Sequence, residues 1–185
     1  FYTQDDTIYI DKLKKIMQQN PQVLFIPGYV EDVIRILKNA HKIGFTKVIF
    51  LGGDGWHSPL LIEKLGIFFE KEITSYLTSP FNIEEKGKKT REFIKKYKEQ
   101  YRKEPDAASA LAYDAASIIL LALKELKEIS REKIMEYISK MEKFEGVTGK
   151  IEFKGKKDPI RDVYILQPSS KGFIYSTKVL PEEKN

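Results

Sequence analysis

Cysteine is absent from the 185-residue sequence, which excludes a disulfide scaffold, thiolate zinc sites and thiol nucleophiles, and leaves the compartment open. Histidine occurs twice, at His41 and His57, with no partner at metal-ligand spacing and no neighbouring pair of acids. No stretch approaches a membrane span. Ser58 lacks a G-x-S-x-G context and reads as a helix cap instead of a nucleophile. Gly52-Gly53-Asp54-Gly55 is neither a Walker loop nor a dinucleotide fingerprint, because no Lys-Ser/Thr follows and the glycine spacing is wrong. Internal repeats and low-complexity segments are lacking too. Catalysis, metals and cofactors therefore have no visible residues, and the sequence reads as a binding protein, not an enzyme.

What is present is ordinary globular material. Apolar residues make up 42% of the chain, and its length suits one ordinary domain or two small ones. The net charge of +5 arises from 32 basic against 27 acidic residues. Nucleic-acid binders concentrate such an excess on one face, and this surface is evenly salted, so no nucleic-acid partner is expected. Abundant Lys, Glu and Ile with little Gln fit a heat-adapted source. No signal peptide precedes Phe1, which carries no weight for a processed chain.

Hydrophobic period assigns most elements. After a polar opening at Asp5 to Thr7, Ile8, Ile10, Leu13, Ile16 and Met17 recur at helical spacing until Asn20-Pro21. Val23 to Ile26 is a buried strand closing on Pro27-Gly28-Tyr29. Val33, Ile34, Leu37, Ala40 and His41 mark a helix that stops at Gly44. Val48 to Leu51 is the next strand, and Ser58-Pro59 opens a helix with Gly66 as a weak point or its end. Two βα units in tandem specify a parallel sheet with right-handed crossovers. Ile73 to Leu77 is a third strand, at an edge or partly exposed. Residues 84–102 form an amphipathic surface helix, and Ala107 to Leu126 an apolar helix expected to be buried on more than one side. Ser130 caps a further helix, Phe144 to Gly149 is a turn, and Lys150 to Phe153 a half-buried strand. Val163 to Leu166 and Phe173 to Val179 flank Ser169 to Gly172 as a terminal hairpin, with a frayed tail from Pro181.

The candidate site lies at two strand ends. In an open α/β sheet, ligands sit beyond the carboxyl ends of the strands. Asp54 and Trp56 follow one strand on a glycine-framed turn, and Tyr29 occupies the matching place on the strand before. Adjacent parallel strands lie about 5 Å apart, so the side chains can converge on one small molecule. An acid beside an indole suits a small cationic group on an apolar body. The alternative is that Tyr29 packs beneath a loop and Asp54 caps the helix beginning near Ser58. His57 could touch the same ligand.

Several of these pieces together resemble the type I periplasmic binding proteins that serve branched-chain amino acid ABC transporters. They are Phe25-Ile-Pro-Gly-Tyr29, Ala40-His-Lys-Ile-Gly44, Leu51-Gly-Gly-Asp-Gly-Trp56, Ala110-Leu-Ala-Tyr-Asp-Ala115 and Phe144-Glu-Gly-Val-Thr-Gly149 leading into Ile151-Glu-Phe153. The resemblance implies an α/β fold in which two lobes close on a ligand. Residues 1–79 and 160–185 would form the second lobe and residues 80–159 part of the first, with crossings near Ser79-Phe81 and Lys156-Ile160. It implies that Asp54 receives the α-ammonium of an amino acid, branched-chain or otherwise apolar. Tyr29 and Trp56 would wall the pocket, and Gly28 and Gly55 would let the backbone approach. A pocket aromatic of some members falls here near Ala107-Ala108, which would widen the side-chain pocket at Ala108; Tyr113 and Asp114 read as packing and local hydrogen bonding.

The resemblance covers the carboxyl-terminal half of a full-length member. It implies an extracytoplasmic chain, in the periplasm or as a cell-surface lipoprotein, with ABC permease subunits as partners. It also implies either truncation or self-association to replace the missing elements. The ligand-sensing part of a receptor or amide-responsive regulator of the same fold is the rival reading. A flavodoxin-like cofactor binder would need a phosphate-gripping loop that the chain lacks.

Overall fold

Alternation of helical and strand period builds the first part of the chain as read. The protein was analysed as a computed structural model, which describes residues 6–181. Helix α1 (Asp6–Met17) gives way at Asn20, whose φ of 47° is left-handed, to strand β1 (Val23–Ile26). Helix α2 (Val30–Lys42) buries Val33, Ile34, Leu37 and Ala40 at three- and four-residue spacing and leaves Arg35 and Lys38 in solvent. Gly44 then turns the chain at a φ of 73°. Strand β2 (Ile49–Gly52) leads through a 3-10 turn, Asp54–Trp56, into helix α3 (Pro59–Lys71). Ser58 caps α3 by accepting the Leu60 N–H at 3.3 Å, with Pro59 pre-set for the first turn. Strand β3 (Thr74–Ser79) follows.

β1, β2 and β3 pair in parallel, with Phe25 opposite Leu51 and Leu51 opposite Tyr76. Because these strands lie side by side in chain order, right-handed crossovers put α2 and α3 on one face of the sheet. α1 packs beside α2. Phe50, Ser75 and Leu77 point into that covered face and are buried. The opposite face carries Val23, Phe25 and Ile49, exposed by 46%, 59% and 38%, although parallel sheets are usually covered on both sides.

The middle of the chain builds its own small core. Helix α4 (Lys88–Tyr101) follows Gly87, and helix α5 (Ala107–Glu125) starts where the Asp106 carboxylate accepts the Ser109 N–H at 2.8 Å. Helix α6 (Arg131–Ser139) precedes a three-stranded antiparallel sheet of β4 (Phe144–Gly146), β5 (Gly149–Glu152) and β6 (Ile160–Arg161). Phe81, Phe93, Ala107, Ala110 and Val147 form one apolar cluster; Ile118, Met141 and Ile151 form another. Three differences from the sequence reading stand out here. Phe144 to Gly146 is a strand and not part of a turn. α4 starts at Lys88 instead of Glu84, since Asn82 turns the chain by accepting the Glu84 N–H. And α5 is buried along a single stripe, Ala107, Ala110, Asp114, Ile118 and Ala122, with Ile119 and Leu120 exposed. Contrary to the expectation that no stretch approaches a membrane span, α5 passes for one by length and composition alone, yet it holds a buried carboxylate at Asp114 that accepts three hydrogen bonds.

Strands β7 (Val163–Ser169) and β8 (Gly172–Val179) then return to the first sheet, giving the order β1-β2-β3-β7-β8. β3 is thus interior, not an edge; β7, which covers it, comes from far along the sequence, where local pattern carries no trace of the pairing. α3 runs on through Gly66, because a Cβ there would stand 3.0 Å from the Ser170 Cα of the β7–β8 turn. That glycine marks a close approach rather than a helix stop. The chain divides into two compact units: one extends to Ser79 and includes Ile165–Thr177, and the other comprises Pro80–Tyr164 and the chain from Lys178. The fold is α/β, with a sheet containing parallel strands flanked by helices. Asp5 and residues 182–185, read as a polar opening and a frayed tail, lie outside the described residues.

Candidate functional site

Two neighbouring strand tips make the site. Ile26 and Gly52 are the last paired residues of β1 and β2, so the segments that follow them leave the sheet side by side. Tyr29 is extended, with φ −84° and ψ 161°, as the residue before α2, and contributes no side-chain cap. Its ring is 78% exposed. Asp54 opens the 3-10 turn and is exposed, and its carboxylate has no hydrogen-bonding or charged partner among the described residues. The capping of α3 falls to Ser58, so Asp54 is not spent as a helix cap.

The turn is packed tightly onto its neighbour. A Cβ on Gly55 would sit 2.7 Å from the Gly28 carbonyl oxygen and 3.5 Å from Cδ1 of Tyr29. Gly55 therefore lets the two tips touch, whereas a Cβ on Gly28 would meet only Val33 Cγ2 at an ordinary 3.7 Å, and the Tyr29 ring lies beside the residue that follows Asp54. The Trp56 indole is wholly buried, and its Nε1–H donates to the Ile26 carbonyl at 3.1 Å. It lies over Gly52, where any Cβ would overlap the ring. This corrects the expectation that Trp56 walls an open pocket: the indole pins the Asp54 turn to β1 from below. On the other side, His57 Nδ1 is 2.6 Å from Ser79 Oγ at the end of β3, and its ring meets Phe173 edge-on at 4.5 Å. The sequence reading gives Ser79 only as a crossing point and Phe173 only as a hairpin strand, neither as a site residue; only the place of His57 next to Trp56 pointed there.

Ala108 belongs to the other unit, exposed on the first turn of α5. Next to it the structure gives Tyr113 and Asp114 packing roles. The Tyr113 ring meets Phe93 at 5.0 Å, tilted by 50°, and the buried Asp114 accepts the Val147 N–H at 2.7 Å, the Thr148 N–H at 2.9 Å and the Thr148 hydroxyl at 2.5 Å. A Cβ on Gly146 would overlap that carboxylate. Nearby, Tyr164 donates to Glu85 at 2.6 Å; the bond holds the Glu85 carboxyl below its ordinary range, while burial foremost pushes the Tyr164 phenol up. An open cavity of about 1010 Å³ lies between α4 and α5, rimmed by Lys89, Glu92, Lys96 and Glu99. Its mixed charge singles out no ligand class. Among the described residues no His, Asp and Glu cluster could hold a metal ion.

An exposed acid and ring thus stand at the carboxyl ends of adjacent parallel strands, on a turn pinned from beneath, at the place where open α/β sheets take their ligands. The chain belongs to the family described as periplasmic binding protein, whose profile matches residues 2–172. It is similar to the solved leucine-binding protein LivK of Thermotoga maritima, at 30% identity and a TM-score of 0.86, over 100% of this chain and 51% of that one. The branched-chain amino acid transporter substrate-binding protein LivJ of Streptococcus pneumoniae, solved in complex with isoleucine, matches at 25% identity and a TM-score of 0.81, over 98% of this chain and 51% of that one. A solute-binding protein of R. palustris in complex with benzoate, at 11% identity and a TM-score of 0.80, shares the fold. Comparison with curated proteins gives no match. The chain spans about half the length of these solved structures.

Proposed function

We propose that this chain supplies one ligand-binding lobe, with part of a second, to an extracytoplasmic solute-binding protein that captures a branched-chain or other apolar amino acid for an ABC transporter. The unit ending at Ser79 is the carboxyl-terminal lobe in this reading, and the unit beginning at Pro80 is part of the other. The observation that carries it is the unpartnered Asp54 carboxylate on a fixed turn beside the exposed Tyr29 ring. A carboxylate in that place makes a charge-assisted bond to an α-ammonium, and the ring offers an apolar surface to what the ammonium is attached to. Similarity to a leucine-binding protein and to one solved with isoleucine supports the ligand class. Permease subunits in the membrane are the proposed macromolecular partner.

The test is a heteronuclear NMR titration of the 185-residue chain with L-leucine, L-isoleucine and L-valine. This readout captures weak binding. The amides of Tyr29 and of Gly53 to Gly55 should shift with at least one of the three. Asp54→Asn should keep the wild-type circular dichroism and weaken binding about 10- to 100-fold, the equivalent of about 1.5–3 kcal/mol for a hydrogen bond to a charged group. A wild-type chain silent to all three amino acids overturns the reading.

A further inference from the structure

The geometry points to His57 as a positioning residue for the Asp54 turn, acting through Ser79 and resting on the binding role proposed for Asp54. The turn is only three residues long, Asp54–Trp56, closed by the His57 N–H bond to the Asp54 carbonyl at 2.9 Å. Its attachment to β1 is through the Trp56 indole and the Gly55–Gly28 contact. Its attachment toward β3 is the His57 side chain, whose Nδ1 meets the wholly buried Ser79 Oγ at 2.6 Å. The imidazole is aimed there by the Phe173 ring of β8, which meets it edge-on. The turn carrying the carboxylate is thereby clamped between both neighbouring strands of the sheet. The clamp ends on the residue immediately before Pro80, where the chain leaves this unit.

A carboxylate held this way has little freedom left to lose when it meets an ammonium, whereas a turn attached on one side must be ordered on binding and weakens affinity accordingly. His57 thus acts on the ligand through Asp54 without touching it. Buried packing alone would be satisfied by any ring of similar size; the tether requires a polar atom at the Nδ1 position. The two roles separate by substitution. His57→Phe keeps the ring against Phe173 and removes the bond, and Ser79→Ala removes the same bond from the other end. His57→Asn places an amide atom close to where Nδ1 lies.

Two readouts apply to the 185-residue chain: amide hydrogen exchange at Trp56 and residue 57, and L-leucine affinity from the NMR titration. His57→Phe and Ser79→Ala are each expected to raise exchange at these amides about tenfold and to weaken L-leucine about tenfold. The double variant should do no more than either single one, and His57→Asn should recover most of both effects. Unchanged exchange in His57→Phe and Ser79→Ala overturns the tether, as do additive losses in the double variant. Faster exchange with unchanged L-leucine affinity overturns the positioning role. Should wild type ignore L-leucine altogether, the proposed function fails, and the exchange data alone decide whether the tether exists.

Discussion

At the scale of single residues, buried polar groups hold the chain where apolar packing alone would leave it loose. Asp114 is 2% exposed and accepts three hydrogen bonds from Val147 and Thr148, so the turn between β4 and β5 is bound to α5 through one carboxylate. Replacing it with asparagine sets an N–H₂ group against N–H donors. Asp114→Asn should cost about 3 kcal/mol of stability, the range for losing charged hydrogen bonds in a buried place, measured by urea unfolding. A loss under about 1 kcal/mol would contradict that role. The sequence reading had assigned Asp114 to local hydrogen bonding, but its partners lie more than thirty residues away and no local rule names them. Trp56 shows the converse. An indole next to an acid on a glycine turn reads as a pocket wall, yet the space left by the missing side chain of Gly52 is what the indole occupies. Whether a glycine permits backbone motion or makes room for a ring depends on the neighbour above it, which a linear pattern does not contain.

At the scale of elements, the helices and parallel strands of the first unit were legible because each buries one stripe or one face, and burial writes its period into the sequence. Where the reading failed, the missing information was long-range. β3 read as an edge or a partly exposed strand; it is partly exposed, and the edge alternative fails because the strand beside it arrives from residue 163 onward. Gly66 read as a weak point inside α3 or its end, and the choice stayed open because the Ser170 backbone that it approaches is equally remote. The Gly66 contact is testable. Gly66→Val adds a branched side chain where a Cβ already stands 3.0 Å from the Ser170 Cα, and the nearby turn must shift to accommodate it. The expected loss is about 1–3 kcal/mol, typical of overpacking, read from thermal unfolding with the far-ultraviolet spectrum retained. An unchanged or higher midpoint would mean that the turn yields freely and that the glycine serves no packing purpose.

At the scale of the whole molecule, two apolar surfaces face solvent in a chain half as long as the solved structures it resembles. One is the sheet face bearing Val23, Phe25 and Ile49; the other is the side of α5 bearing Ile119 and Leu120. Patches of this kind promote association. The 185-residue chain should therefore self-associate, and Phe25→Glu combined with Leu120→Glu should shift it toward monomer in sedimentation velocity. A wild-type chain that stays monomeric over the concentrations used for NMR would refute this. The single tryptophan of the sequence offers an independent view of the same molecule. Because that indole sits dry beneath the turn, bonded to the Ile26 carbonyl, its fluorescence is a natural lamp under the candidate site. Excitation of one chromophore reports whether that turn is seated or lifted, with no label attached to the chain.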